Sequence, residues 1–221
     1  MTSCLLGIGG WLGWGEKKCI NFYEINPQKR AEVEEYDQDG DRKICEDEVP
    51  EMDEVAFEAF VNSIRVPVIE VDGKKIIKNQ YDILLKFAKD NDIKSDWIIR
   101  NVEVEEGLVV KLEYRRYAGN YIKDISALSN LTSLRSLDLA DNLLSDISPL
   151  ANLINLEELN LDNSLSIKGI RKGISALGGL TKLRSLNLSV NILSDFSALS
   201  SLTNLEVLDL HLTEVNDLSF L

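Results

Sequence analysis

Between Leu131 and Leu210 the pattern LxxLxxLxL occurs four times, beginning at Leu131, Leu153, Leu180 and Leu202, and leucine fills all sixteen of its apolar positions. Chance does not produce this. The strand leucines Leu137, Leu159, Leu186 and Leu208 are 22, 27 and 22 residues apart, and a period of about 20–29 residues belongs to a stacked repeat in which each unit supplies one supersecondary element. Each LxL is therefore read as a short parallel strand. Strand side chains alternate, so its two leucines face inward and the residues beside and between them face a concave surface.

After each strand the chain turns, and the tail of the turn recurs as Asp124-Ile125-Ser126-Ala127-Leu128, Asp146-Ile147-Ser148-Pro149-Leu150, Gly173-Ile174-Ser175-Ala176-Leu177, Asp195-Phe196-Ser197-Ala198-Leu199 and Asp217-Leu218-Ser219-Phe220-Leu221. The aspartates are expected to accept bonds from backbone amides at the turn, and Asn142 and Asn191 to do the same where strands end. The consensus, LTSLRSLDLADNLLSDISPL in its most regular copy, resembles the short leucine-rich repeats of internalin-like proteins over about residues 102–221. That resemblance implies an α/β solenoid with short parallel strands and a protein-binding role, without naming the partner.

Two irregularities carry more information on function. From the last strand leucine to the apolar residue of the turn the ordinary distance is 8, but it is 13 from Leu112 to Ile125 and from Leu161 to Ile174. Two repeats thus carry the same expansion at the same phase, so both are expected on one edge of the solenoid. Both are basic in an acidic chain. The first holds Tyr114, Arg115, Arg116, Tyr117, Tyr121 and Lys123, and the second holds Lys168, Arg171 and Lys172. A basic, tyrosine-bearing edge is the candidate contact surface for a protein partner; the bland reading is an extra turn on the convex side with solvated cations. On the strands, Arg135, Glu157, Arg184 and Glu206 alternate in sign and predict an ion-pair ladder, beside a small polar column of Asp138, Asn160, Asn187 and Asp209. The final turn motif ends at Leu221 without a polar capping segment, which reads as a fragment or an end covered by another molecule.

Upstream, DQDGDRKICEDEV (Asp37–Val49) follows the calcium loop of an EF-hand. Asp37, Asp39 and Asp41 stand at positions one, three and five, Lys43 offers its carbonyl at seven, Ile44 is the apolar eighth residue, and Glu48 is the carboxylate at twelve. Ca²⁺ wants six to eight oxygens, and this spacing wraps short carboxylates around it. Val33 and Tyr36 suit an entering helix and Val49 and Met52 a leaving one. Two departures count against it: Arg42 replaces the usual glycine at six, and no second loop is recognised. The bland reading is an acidic helical hairpin, since residues 31–58 hold 13 acids against Arg42 and Lys43 alone.

The segment VPVIEVDGKKII predicts a hairpin about Asp72-Gly73. NQYDILLKFAKDN predicts a helix with Tyr81, Leu84, Leu85 and Ala88 on its apolar face, and Val102, Val104, Val109 and Leu112 alternate around a turn at Glu106-Gly107. Hairpin and helix are expected to cap the first repeat. Four regions result: a glycine-rich tail at 1–28, the EF-hand-like helix-loop-helix at 29–62, the cap at 63–107, and five strands of repeat at 108–221, so that a small α+β/helical region precedes the solenoid.

Of the net charge of −13, residues 1–107 carry −10. A nucleic-acid partner is not expected, because phosphate binding requires a basic face. Cys4, Cys19 and Cys45 show no metal spacing and are read as free thiols, with a Cys4–Cys19 bridge the option in an oxidising compartment. The apolar opening has no positive charge ahead of it and no cleavage site, so it is neither a signal peptide nor a membrane span, and a cytoplasmic setting is slightly favoured unless the true start lies upstream. The single histidine, His211, has no predictable acid or nucleophile beside it, and the glycines at 7, 9, 10, 13 and 15 do not spell a dinucleotide loop, so no enzyme is expected.

Overall fold

The computed structural model describes residues 67–116, 120–165, 174–193, 195–213 and 215, with shorter stretches at 19–21, 24–25, 29, 33, 36, 43–45, 49, 56–57 and 59–61. The chain divides into two compact units, Met1–Val68 and Ile69–Leu221.

In the first unit, β1 (Cys19–Asn21) and β2 (Lys43–Cys45) form an antiparallel two-stranded sheet with Ile20 opposite Ile44. Both isoleucines are fully buried in a core with Ile25, Val33, Val49, Phe57 and Val61, against which Tyr36 and Phe60 pack edge to face.

In the second unit, β3 (Val68–Val71) and β4 (Lys74–Ile77) make the expected hairpin. Its two turn residues, Asp72 at φ 49° and Gly73 at φ 73°, are both left-handed as a type I′ turn demands. Helix α1 (Lys78–Asp90) follows and buries Gln80, Leu84, Phe87 and Ala88, while Tyr81 and Leu85 stand half-buried at the margin. The apolar face is thus rotated toward Phe87 from the expected one. A short helix, α2 (Ser95–Arg100), comes next, and sequence periodicity did not reveal it. Its last carbonyls are collected by one lysine: Lys74 Nζ donates to Ile99 O at 2.7 Å and to Arg100 O at 3.3 Å, and also to Val102 O just beyond the helix at 2.6 Å, which meets the demand of a helix C-terminus for cations and donors. Burial lowers the pKa of Lys74 while Asp72 and Glu103 oppose that shift.

Strand β5 (Val102–Glu105) turns back through Glu106-Gly107 into β6 (Leu108–Glu113), antiparallel and with a register irregularity at Glu103/Val104. From β6 onward every pairing is parallel: β7 (Ser136–Asp138), β8 (Glu158–Asn160), β9 (Ser185–Asn187) and β10 (Val207–Asp209). The six-stranded sheet runs in chain order, and Leu112, Leu137, Leu159, Leu186 and Leu208 are paired in register across it. One hydrophobic core extends without interruption from Ile76 in the hairpin to Leu202 in the last described turn. The cap therefore shares its core with the repeats. Buried Gln80 welds the two, accepting from Val109 N–H at 2.6 Å and donating to Ser133 Oγ at 3.1 Å, whose hydroxyl donates to Val109 O. Among the described residues no helix is long and apolar enough to cross a membrane.

The convex side is made of single turns. Three are 3₁₀ helices, Ser126–Asn130, Ser148–Asn152 and Ser197–Ser201, and the fourth, after the second expansion, is the α-helical α3 (Ile174–Leu177). Each 3₁₀ turn starts behind the aspartate the sequence singled out: Asp124, Asp146 and Asp195 accept from the N–H of Ser126, Ser148 and Ser197 at 2.8, 2.8 and 2.9 Å. These bonds hold the carboxylates of Asp124 and Asp195 below their ordinary pKa of 3.8. A depressed folded-state pKa means that the stabilising contribution is whole above the ordinary value and is lost as pH falls through the folded one. Wild type is accordingly expected to melt above Asp124→Ala at pH 6–7, with the gap shrinking below about pH 4; a gap independent of pH, measured by thermal denaturation, would show that the charge plays no part.

Candidate functional site

The two five-residue expansions leave the sheet at the same phase, after β6 and after β8, and buried asparagines fasten both. Asn142, 1% exposed, accepts from Ile122 N–H at 2.7 Å and donates to the carbonyls of Tyr114, Leu139 and Ala140 at 2.9, 2.8 and 3.1 Å. It ties the first expansion where it leaves the sheet and where it returns. Asn91, at the end of α1, secures the return a second time: its Oδ1 accepts from the N–H groups of Lys123 and Asp124, and its Nδ2 donates to Asp124 O at 2.7 Å. Asn191 holds the second expansion where it leaves the sheet, accepting from Ser164 and Leu165 N–H and donating to Leu161 O. Each expanded repeat lacks its own asparagine, with Ser164 standing at that place in the second, and takes the one from the repeat that follows.

Between these anchors the candidate contact residues divide. Tyr114 is 2% exposed, packed edge-on against Trp97 with ring centroids 4.7 Å apart, and burial raises its pKa. This corrects the expectation of a surface tyrosine; its ring is a core plug. Arg115 turns onto the concave side and donates to Asp138 Oδ2 from Nε at 2.9 Å and Nη2 at 2.7 Å. Arg116 is exposed and lies over the half-buried ring of Tyr121 at 4.6 Å, an arrangement that fixes a cation without neutralising it. Lys123 is exposed. Tyr117, Lys168, Arg171 and Lys172 lie outside the described residues, as do Asp37, Asp39, Asp41 and Glu48 of the calcium loop; of the expected ligands Lys43 alone is described, in β2. No group of three His, Cys, Asp or Glu side chains able to hold a metal occurs among the described residues.

The concave face is largely self-satisfied. Asp138, Asn160, Asn187 and Asp209 each accept from the amide two residues on, at 2.9, 3.0, 2.9 and 2.9 Å, so the small polar column terminates strands before it does anything else. That signal was legible as Asx-turn chemistry. The alternating column forms only part of its ladder: Arg184 pairs with Glu206 at 2.7 Å, whereas Arg135 reaches back to Glu105 on β5. Lys111 bridges Glu113 at 2.9 Å and Glu103 at 3.1 Å, which pushes its pKa up to about 12. A shallow groove of about 280 Å³ runs over this face between Lys111, Glu113, Glu158 and Asn187. His211 is exposed, and its backbone N–H is the donor to Asp209.

A family model described as leucine-rich repeats matches residues 116–152 and again 132–172. No curated protein matches the chain. Among solved structures it is similar to an internalin of Listeria monocytogenes, InlF, at 45% identity over 49% of this chain and 31% of that one, with a TM-score of 0.43. It is also similar to internalin C2 of the same species, at 31% identity over 54% and 53% with a TM-score of 0.45. A third similar structure is the repeat ectodomain of the receptor kinase SOBIR1 of Arabidopsis thaliana, at 20% identity over 62% and 94% with a TM-score of 0.49. The chain spans only the stated 31% and 53% of the two internalins' lengths. The family match places leucine-rich repeats at residues 116–172, and the parallel register of β7 and β8 within that span agrees with it.

Replacing Asn142 by alanine strands the buried Ile122 amide and the carbonyls of Tyr114 and Ala140, while Leu139 O keeps the Ser164 hydroxyl. The expected loss is about 3 kcal/mol of unfolding free energy or more, at about 1–3 kcal/mol for each of the three groups left unpaired, with faster hydrogen exchange at Ile122. Unchanged exchange there would refute the anchoring role.

Proposed function

We propose that the chain is a non-enzymatic protein-binding module whose contact surface is the basic edge built by the two expansions. The observation that carries this reading is the contrast between the two faces. Concave charges are bonded to one another, whereas Arg116, spread on Tyr121, and Lys123 stand exposed on a loop pinned by Asn91 and Asn142. A cation held in place by an aromatic ring forfeits little side-chain freedom on binding, which is what an anchoring residue requires. By the phase of their expansion in the sequence, Lys168, Arg171 and Lys172 are assigned in this proposal to the same surface, and the partner it suits is an acidic protein. Arg116→Ser with Lys123→Ser is expected to weaken capture of the partner by about tenfold or more without shifting the melting temperature. Blocking the concave groove with Asn160→Arg is expected to leave capture intact. If only the groove variant binds poorly, the edge is not the contact surface.

A second reading is favoured by the first unit: the loop Asp37–Glu48 takes one Ca²⁺, through Asp37, Asp39, Asp41, the carbonyl of Lys43, and Glu48. Supporting it, the residues at loop positions seven to nine form β2, the eighth residue Ile44 is fully buried, and Val33 and Val49, assigned to the flanking helices, are buried in the same core. Calorimetric titration with Ca²⁺ is expected to give a one-site isotherm that Asp37→Ala abolishes; equal heats for both proteins would remove calcium from the account.

A further inference from the structure

The register of the first sheet sets two of the three cysteines opposite each other: Cys19 is the direct partner of Cys45 across β1 and β2. Directly opposed residues of an antiparallel pair have Cα atoms about 4.5 Å apart when the pair is not hydrogen-bonded and about 5.5 Å apart when it is. A disulfide accepts Cα separations of about 4.4–6.8 Å. Either kind of pair is therefore within its span. Alternation adds the second requirement. Ile20 and Ile44, the middle residues of the two strands, are fully buried on the core face, so positions 19 and 45 share the other face of the ribbon with Asn21 and Lys43, which are half-buried.

We propose that Cys19 and Cys45 are a thiol pair that closes into a cross-strand disulfide on meeting a small disulfide oxidant. One cysteine thiolate attacks a sulfur of the oxidant and releases one thiol, leaving a mixed disulfide; the other cysteine attacks that and releases the second thiol. Two protein thiols thereby lose two electrons and two protons, one S–S bond forms in the protein, and the oxidant's S–S bond becomes two thiols. The bridge ties together residues 26 positions apart and encloses Asp37, Asp39 and Asp41. In the chain-entropy description, closing a loop of this length disfavours the opened segment by roughly several hundredfold. The inference rests on the register alone and stands whether or not the loop takes Ca²⁺. It replaces Cys4–Cys19 as the bridge to look for.

The sequence makes the test direct, because trypsin places Cys4, Cys19 and Cys45 in separate peptides, 1–17, 19–29 and 44–65. The full chain is equilibrated with glutathione disulfide, its remaining thiols are alkylated, and it is digested without reductant. The expected product is peptide 19–29 linked to 44–65, unchanged in Cys4→Ser and absent from Cys19→Ser. A link between 1–17 and 19–29, or three alkylated thiols after equilibration, overturns the pairing. In native Cys4→Ser protein, cleavage after Arg42 and Lys43 is expected to slow about tenfold or more on oxidation; equal rates in the two redox states overturn the claim that the bridge restrains this segment.

Discussion

The strand leucines that lie between two repeats are kept dry by their neighbours. A three-residue strand and a single helical turn enclose no interior, so Leu137, Leu159 and Leu186 become fully buried only because the sheet sets them in register between neighbours. That dependence explains the conservative geometry of the second unit. The strands run in chain order, the Asx turns recur, and the cap is continuous with the repeats through Gln80 and the core around Ile76, Leu84 and Phe87. At the other end of the stack Leu208 and Leu210 remain partly exposed and Val207 is 58% exposed, as the same dependence requires for the last described strand.

The expansions show how such a stack carries irregular chain without losing its register. A longer loop leaves more backbone polar groups near the core, and each must find a partner. The structure answers with buried asparagines. Asn142 and Asn191 combine an acceptor and two donors in a small volume, so Asn142 serves both feet of the first expansion, Asn191 serves the departing foot of the second, and each also serves the end of its own strand. Beyond these anchors, Arg116 lies over the ring of Tyr121 in the described part of the first loop.

How much of this was legible depends on whether the signal was local. The strand leucines, the I′ turn at Asp72-Gly73 and the turn aspartates each express a rule that operates within a few residues, and each was read correctly. Tyr114 was misread because its sequence neighbours, Arg115 and Arg116, are exposed; its burial against Trp97 depends on α2, which has no strong periodicity of its own. For the same reason the role of Asn91 was invisible, since its partners lie 32 and 33 residues away. The left-handed turn residues mark a middle case. Asp141 and Asn163 belong to types that tolerate positive φ, but Val190 and Leu212 hold the same conformation at φ 55° and 56°. Neighbouring repeats impose it, through bonds such as Val190 N–H to His211 O at 2.7 Å, against a local cost of about 1–2 kcal/mol per residue.

The first unit answers to a different constraint. It falls below the size at which a hydrophobic core alone supplies much stability, and its described core of Ile20, Ile25, Val33, Ile44, Val49, Phe57 and Val61 is organised around a sheet of two three-residue strands. A two-stranded sheet is marginal in water by itself, and the surrounding sequence adds repulsion, with 13 acids between residues 31 and 58. Units of this size gain order from a bound ion or a covalent link. A cation in the loop would relieve the repulsion among Asp37, Asp39 and Asp41, and a bridge at Cys19 and Cys45 would hold the strands that position Lys43. The two devices act on the same pair of strands through different physics, so each would raise the population of the conformer that the other requires, and their effects on the order of this unit would be coupled rather than additive.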